Sequence, residues 1–317
     1  MNRATRSVSL DQLTTEAANP ASANIDTLST LEFVRLMNAE DATVPLALAK
    51  AEASIAKAIE VITDRIRSGG RLIYIGAGTS GRLGVLDASE CPPTFNTPPE
   101  MVVGIIAGGD SALRKAAEGV EDHPEVGAAD VKRINLTSND VLVGIASSGR
   151  TPYVVGALNY ARSINAFAIG LSCNEHSAIA DFSDLMITLV VGPEIISGST
   201  RMKAGTATKL ALNMLTTGVM VQLGKTYGNL MVDVRATNSK LVARSRRIVA
   251  GLTQLSEDQA EAALSECNGE LKTAVVTSRL RVDAETARQI LRRCGGQLRL
   301  ALQTPTESSE SPTGSLP

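Results

Sequence analysis

The sequence is poor in aromatic residues, cysteine and histidine, and each shortage argues against a class of function. It has no Trp, and aromatics make up only 3% of 317 residues, so stacking platforms for nucleic-acid bases are scarce. Four cysteines without a CxxC pair and only two histidines give no zinc-ligand cluster at a usual spacing. We therefore expect no bound metal, and we expect the cysteines to be free thiols in a reducing compartment.

Excess charge and long apolar runs are also missing. Lys and Arg number 31 against 33 Asp and Glu, so the net charge of −2 offers no broad positive field to nucleic acid or anionic lipid. No stretch approaches ~20 uninterrupted apolar residues, and residues 1–20 lack the apolar region of a signal peptide. We expect a cytoplasmic protein without nucleic-acid or membrane partners, in which a local site binds any anion.

Five short apolar runs predict the fold. They lie at residues 71–76, 101–107, 141–146, 166–172 and 185–191, with helix-length segments between them. Apolar runs without polar alternation are typical of parallel strands that helices cover on both faces. We predict an α/β fold, a doubly wound five-stranded parallel sheet.

The segment before the sheet predicts an arm and two helices. Residues 1 to about 25 are polar and are expected to order only against another surface. Ser29 and Glu32 have the spacing of a capping box, which predicts a helix with Phe33 on its packing face. A second amphipathic helix is predicted from about 45 to 68.

The C-terminal third contains a long helix and a repeat. Residues 203–223 are apolar on most sides, which predicts a helix in a core or a subunit interface. Residues 260–275 match residues 287–302, 27 positions later, and each copy reads as a helix, a glycine turn and a helix start. We predict a small helical unit at 250–302 and a disordered tail after it.

The first apolar run ends in a glycine-rich loop, Gly76–Gly81, which contains a literal GxGxxG. A dinucleotide site would need an acidic residue at the end of the second strand, ~20 positions later. Asp87 and Glu90 instead precede that strand, which starts near Met101. The spacing argues against NAD.

The first and third apolar runs end in related tetrapeptides, Thr-Ser-Gly-Arg and Ser-Ser-Gly-Arg. Free amides at a helix start, together with hydroxyl groups, bind anions without any net positive charge. Ser-Gly turns also cap helices without binding a ligand, but two at the carboxyl ends of parallel strands favour a phosphorylated small molecule. The predicted binding residues are Thr79, Ser80, Arg82, Ser147, Ser148, Arg150 and Thr151.

A third hydroxyl-rich segment, residues 197–206, adds Ser199 and Lys203 to the candidate substrate-binding residues. Cations at a helix start oppose the helix dipole. We expect either a capped helix with a basic first turn or an anionic ligand that accounts for the cations.

Seven blocks of sequence resemble one known family in order and spacing. The chain is similar to the N-acetylmuramic acid 6-phosphate etherases, a branch of the sugar isomerase (SIS) domain proteins, over roughly residues 14 to 302. Ser147 departs from the family pattern, where Ala is expected. The blocks are GAGTSGRLGVLDASECPP, IAGG, EGVED, SSGRTPYV, GSTRMKAGTA, LNML and NLMVDV.

The resemblance implies a lyase without a cofactor that acts in peptidoglycan recycling and amino sugar catabolism. Such an enzyme cleaves the lactyl ether at C3 of the 6-phosphosugar, and two glutamates carry the acid and base work. The matching positions are Glu90 in DASECPP and Glu121 in EGVED. The chemistry is reasonable independently, because the C2 proton of the ring-opened sugar is α to an aldehyde and a carboxylate can remove it.

The resemblance also implies a domain plan. It gives an N-terminal arm and helix at 1–50, an SIS domain at 51–249, a UBA-like helical unit at 250–302 and a tail at 303–317. Family precedent and the apolar helix near residues 210–221 both favour a homodimer with sites near its interface.

The residues alone leave alternatives open. Glu90, before two prolines, reads more readily as an exposed turn residue than as a catalytic group. Cys91 reads as a buried thiol more readily than as a nucleophile because no His is near it in sequence. SIS domains also occur in sugar-phosphate sensors and in aldose-ketose isomerases, so both activities stay as alternatives.

Overall fold

The computed structural model describes residues 13–115, 119–234 and 239–304. Its strands are β1 Leu72–Gly76, β2 Val102–Ile106, β3 Val141–Ile145, β4 Phe167–Ser172, β5 Leu185–Thr188, β6 Thr226–Tyr227 and β7 Leu230–Met231. Its helices are α1 Thr30–Asp41, α2 Val44–Lys50, α3 Glu52–Arg67, α4 Gly78–Phe95, α5 Pro124–Arg133, α6 Pro152–Ser163, α7 Lys203–Gln222, α8 Ser239–Thr253, α9 Glu257–Glu266, α10 Leu271–Leu280, α11 Ala284–Arg293 and α12 Leu298–Ala301.

The five predicted strands form one parallel sheet in the order β2-β1-β3-β4-β5. Strands β1 and β3 are neighbours, and Gly76 at the end of β1 is paired with Ile145 at the end of β3. The two tetrapeptides therefore emerge side by side at one edge of the sheet. The prediction of a five-stranded parallel sheet is confirmed.

Helices cover both faces of this sheet, as the side chains of β1 demonstrate. Ile73 and Ile75 are fully buried in a core cluster with residues of α6. Tyr74 lies between them and points to the opposite face, where its hydroxyl donates a hydrogen bond to Asp87 of α4. Consecutive residues of a strand face opposite sides, so the sheet is doubly wound.

The helices before the sheet differ in part from the prediction. Helix α1 has the predicted capping box between Ser29 and Glu32, but none of its residues is buried, and Phe33 is 39% exposed. The expected packing of this helix is therefore wrong within a single copy of the chain. The helix predicted at 45–68 is two helices, α2 and α3, separated at Ala51.

The chain divides into two compact units. Unit 1 comprises Met1–Cys91 and Pro98–Val219, and unit 2 comprises Pro92–Thr97 and Met220–Pro317. The sequence-based boundary at 249/250 lies inside helix α8, which belongs wholly to unit 2. Within the described ranges, no helix is both long and apolar enough to span a membrane.

The repeat in unit 2 is visible in its hydrogen bonds. After α9, the Gly269 amide donates to the carbonyl of Leu264 at 2.8 Å, and after α11 the Gly296 amide donates to Leu291 at 2.8 Å. The residue before each of these glycines, Asn268 or Gly295, has positive φ, as the C′ position of a Schellman turn requires. The helix, glycine turn and helix start predicted for each copy are confirmed. The predicted tail, except for its first two residues, lies outside the described residues.

Candidate active site

The first tetrapeptide lies inside helix α4, because that helix begins at Gly78, two residues after β1. Ser80 is 9% exposed, and its hydroxyl oxygen is 3.5 Å from that of Ser147 in the second tetrapeptide. Thr79 precedes Ser80 in the first turn of the helix. The structure thus places hydroxyls of both tetrapeptides next to each other.

Arg82 uses two of its donors on the backbone at this edge. Its guanidinium donates hydrogen bonds to the carbonyls of Leu113 at 3.1 Å and Ala112 at 2.7 Å. These bonds tie helix α4 to the 3₁₀ turn that follows β2. Two of its donors therefore hold the backbone, and the binding of phosphate by Arg82 stays a prediction.

The second tetrapeptide lies in a loop before helix α6, which begins at Pro152. Gly149 has φ of 71°, and a Cβ on it would lie only 2.0 Å from Cβ of Ser177, so the loop requires glycine there. The Ser148 hydroxyl accepts the Arg150 amide at 3.3 Å. The Arg150 guanidinium has no hydrogen bond or ion pair with any residue that the structure describes.

A cavity of about 360 Å³ opens beside this loop and brings predicted residues together. Glu121, on the 3₁₀ turn Val120–Asp122, lines the same cavity as Ser148, Arg150 and Thr151. A carboxylate thus faces two hydroxyls and an arginine without a partner among the described residues. The full lining is Leu13, Glu16, Glu121, Asp122, Ser148, Arg150, Thr151 and Pro152.

Lys203, expected to face an anionic ligand, has counterions within the chain. It is 3% exposed, and its Nζ lies 2.6 Å from Oε2 of Glu40, which lowers the pKa of that carboxyl. The buried Glu194 carboxylate accepts the amides of Lys203 and Ala204, both at 2.9 Å. The charge of Lys203 is therefore balanced within the chain, in keeping with the capped helix, and its contact with an external anion stays a prediction. Ser199 is half-buried and does not line the cavity beside Glu121.

Glu90 is exposed and lies within helix α4, not in the loop expected before the prolines. It lines a separate cavity of about 150 Å³ together with Asp87, Lys209 and Asn213. Among the described residues of unit 1, the two predicted catalytic glutamates therefore line different cavities.

Asp87 is a buried site residue that sequence reasoning missed. It accepts hydrogen bonds from the Tyr74 hydroxyl at 3.0 Å, Asn213 Nδ2 at 2.8 Å and the Thr216 hydroxyl at 3.3 Å. Burial raises its pKa, and these three donors oppose the rise. Burial also raises the pKa of the Cys91 thiol to about 12, which removes it as a nucleophile at neutral pH. Two of the donors to Asp87, Asn213 and Thr216, lie 126 and 129 positions away in sequence, so no local motif revealed this hydrogen-bond network.

Asn174 is a second missed residue. It is 2% exposed, and its Nδ2 donates to the carbonyl of Ser147 at 2.9 Å and to the Thr15 hydroxyl at 3.2 Å. One amide thus supports the second tetrapeptide and the N-terminal arm together. No sequence signal joined two segments so distant along the chain.

An apolar groove of about 870 Å³ lies between helices α2 and α3 on one side and α7 on the other. Met214 on its rim is 44% exposed, and Leu46 on α2 is 64% exposed. The lining is Pro45, Leu48, Ala49, Glu52, Ile55, Ala56, Ile59, Leu210, Asn213, Met214, Thr217 and Gly218.

Comparisons with known proteins agree with this fold. Residues 54–162 match the glucokinase regulatory protein N-terminal SIS domain, residues 122–218 match the SIS domain, and residues 228–275 match the C-terminal lid domain of glucokinase regulatory protein. These models describe the parts of the chain, and longer relatives describe the whole.

The chain is 64% identical over 298 residues to an N-acetylmuramic acid 6-phosphate etherase of Rhodopirellula baltica, covering 94% of this chain and 99% of that protein. It is 57% identical to an etherase of the same name from Streptomyces avermitilis, covering 92% and 94%. It is 54% identical to one from Escherichia coli O1:K1, covering 93% and 99%. This chain belongs to the N-acetylmuramic acid 6-phosphate etherase family.

Proposed function

We propose that the chain is a carbon–oxygen lyase that cleaves the D-lactyl ether of N-acetylmuramic acid 6-phosphate. The products are N-acetylglucosamine 6-phosphate and D-lactate, which places the reaction in cell-wall recycling. One observation carries the proposal: etherases match this chain at 53–64% identity along nearly their whole length. The cavity beside Glu121 supplies a site of suitable chemistry.

The cavity supports an anionic substrate. Ser148 and Thr151 offer hydroxyl donors, and the Arg150 guanidinium has no partner among the described residues. Ser80 and Ser147 bring a second pair of hydroxyls to the same sheet edge. Charge-assisted hydrogen bonds from such groups hold a phosphate without a metal. Arg82 donates to backbone carbonyls, and Lys203 pairs with Glu40.

The reaction is an elimination followed by addition of water. In the ring-opened sugar, a carboxylate base removes the C2 proton, the C3–oxygen bond breaks, and lactate leaves with the ether oxygen. Water then adds at C3, and a proton returns to C2. We assign Glu121 to C2, and Glu90 as the acid and base that serves the leaving ether and the incoming water. If the two glutamates exchange these roles, the protons and oxygen atoms of the reaction still balance.

A homodimer accounts for the separation of the two glutamates. They line different cavities of one copy, so a shared site needs a second chain or a movement. The groove between α2, α3 and α7 and the unburied helix α1 offer apolar surface for a second copy. Sedimentation equilibrium measures this directly, and a monomer at the concentrations of the activity assay would contradict it.

The lactate assay tests the proposed function. The purified chain is incubated with N-acetylmuramic acid 6-phosphate, and D-lactate is measured over time. In ¹⁸O-labelled water, the ¹⁸O is expected in the new C3 hydroxyl and not in the lactate. In deuterium oxide, deuterium is expected at C2. Label in lactate alone would exclude elimination.

Two family models name glucokinase regulatory protein, which supports a sugar-phosphate sensor as the alternative function. A pure sensor of sugar phosphates would bind the substrate and release no lactate. An aldose-ketose isomerase would interconvert 6-phosphosugars and likewise leave the ether intact. The same incubation therefore separates all three functions.

A further inference from the structure

We infer that Glu16, on the N-terminal arm, binds the sugar part of the substrate through its hydroxyl or amide donors. Glu16 lines the same cavity as Glu121, Ser148 and Thr151. This inference rests on the proposed function, because it assigns a residue to that site.

The arm is fastened through the three residues that directly precede Glu16. Leu13 is 2% exposed and Thr15 is fully buried. The Thr14 hydroxyl donates to Asn174 Oδ1 at 2.9 Å, and the Gly198 amide donates to the Thr15 carbonyl at 3.0 Å. The described part of the arm, from Leu13 onward, thus packs against its own chain. The Glu16 backbone is thus held firmly enough to place a binding group.

The Glu16 side chain crosses a glycine. Its Oε2 lies 2.9 Å from the position that a Cβ on Gly198 would occupy. Gly198 also has φ of 74°, a conformation that favours glycine. The segment opposite the arm is therefore shaped to leave room for this carboxylate, and no hydrogen bond to another described residue occupies its oxygens.

The chemistry of the cavity decides what Glu16 binds. An ionised carboxylate only accepts hydrogen bonds, so it repels a phosphate and attracts hydroxyl or amide N–H groups. Ser148, Thr151 and Arg150 supply donors in the same cavity, whereas Glu16, Glu121 and Asp122 supply acceptors. A ligand with an anion at one end and neutral donors at the other matches this division, and a 6-phosphosugar with hydroxyl and acetamido groups is such a ligand.

The test compares Glu16→Gln and Glu16→Ala with wild type in three measurements. These are KM and kcat for N-acetylmuramic acid 6-phosphate, the dissociation constant of N-acetylglucosamine 6-phosphate, and the inhibition constant of inorganic phosphate. Asp26→Asn is the matched control, since it removes an exposed carboxylate from the same arm outside the cavity.

We expect Glu16→Ala to raise KM and the sugar-phosphate dissociation constant about tenfold, the effect of one charge-assisted hydrogen bond. Glu16→Gln should produce a smaller rise, because its amide oxygen still accepts. In both Glu16 variants, kcat and the inhibition constant of inorganic phosphate should stay within about twofold of wild type. All the measured constants of the Asp26→Asn control should do the same.

Unchanged sugar-phosphate binding in both variants would overturn the role of Glu16. So would an equal loss for inorganic phosphate, which would indicate collapse of the loop, or a fall in kcat with KM unchanged. A wild-type protein that releases no lactate would instead overturn the proposed function. That result leaves the dissociation constant of N-acetylglucosamine 6-phosphate able to judge Glu16 separately.

Discussion

Two strand ends of this protein carry nearly the same tetrapeptide and use it differently. At the end of β1, Thr-Ser-Gly-Arg lies inside helix α4, and the Arg82 guanidinium donates hydrogen bonds to two backbone carbonyls. At the end of β3, Ser-Ser-Gly-Arg stays in a loop, and Arg150 lines a cavity without a partner among the described residues.

The difference arises from where each helix begins. Helix α4 starts two residues after its strand, whereas α6 starts only at Pro152, a residue favoured at the first helical position. The first tetrapeptide therefore lies inside its helix, whereas the second lies before its helix. Related motifs at neighbouring strand ends therefore lie close together in the fold, but their matching side chains can have different partners.

The largest effect should come from the carboxylate beside the second tetrapeptide. Glu121→Gln keeps the shape of the side chain but removes proton transfer, so kcat for lactate release should fall ~10² to 10⁴-fold while substrate binding survives. Glu90→Gln should give a loss of similar size. Near-normal turnover in both variants would remove these glutamates from the mechanism.

The opposite ends of the same two strands provide a stability test. Asp140 precedes β3 and accepts Arg71 Nη2 at 2.8 Å and the Thr137 amide at 2.8 Å. Burial works to raise its pKa, but these hydrogen bonds outweigh burial and lower it. Asp140→Asn should reduce the free energy of unfolding by about 3 kcal/mol at pH 7, because it leaves Arg71 without its carboxylate. Urea denaturation measures the change.

The pH dependence of that loss has a definite sign. Because the folded pKa is depressed, the contribution of Asp140 is complete above its unfolded pKa of about 3.9 and disappears as pH falls through the folded value. The difference between wild type and Asp140→Asn should therefore shrink on acidification. A difference that grows at low pH would contradict the assigned cause. Lactate release per folded molecule should not change, since the pair lies away from the carboxyl edge.

The two arginines sharpen the comparison directly. Arg150→Ala should weaken substrate binding by about 2 kcal/mol, the value of a hydrogen bond to a charged group, and leave the thermal midpoint nearly unchanged. Arg82→Ala should do the reverse, lowering the midpoint because two carbonyls lose their donors. KM and differential scanning calorimetry measure the pair. If Arg82→Ala changes only KM, the division of roles is wrong.

The serines should give the smallest effects. Ser148→Ala and Ser80→Ala should each weaken substrate binding by about 1 kcal/mol or somewhat more, through loss of one hydroxyl donor to the phosphate. Ser163→Ala is a control of the same chemistry on an exposed position of α6, where the hydroxyl bonds only the Tyr160 carbonyl. Wild-type affinity in both site variants would mean that the loops are misassigned.

Much of the fold followed from local chemistry that is legible in sequence. Apolar runs predicted the sheet because strands buried on both faces tolerate few polar residues. Ser29 with Glu32 predicted a helix start, and the paired glycine turns predicted the repeat, because caps and left-handed turns act through near neighbours. The sequence also predicts four site residues that line one cavity in the structure: Glu121, Ser148, Arg150 and Thr151.

What the sequence by itself determined is therefore the strands, the caps and the family, since each depends on adjacent residues or on long matching motifs. Only the tertiary structure decided that Arg82 and Lys203 are held within the chain, that Glu90 and Glu121 line different cavities, and that Glu16 joins Glu121. These outcomes depend on partners far away in sequence. Hydrogen-bond donors and carboxylates bind whichever group folding brings within about 3 Å, and no local pattern records which group that is.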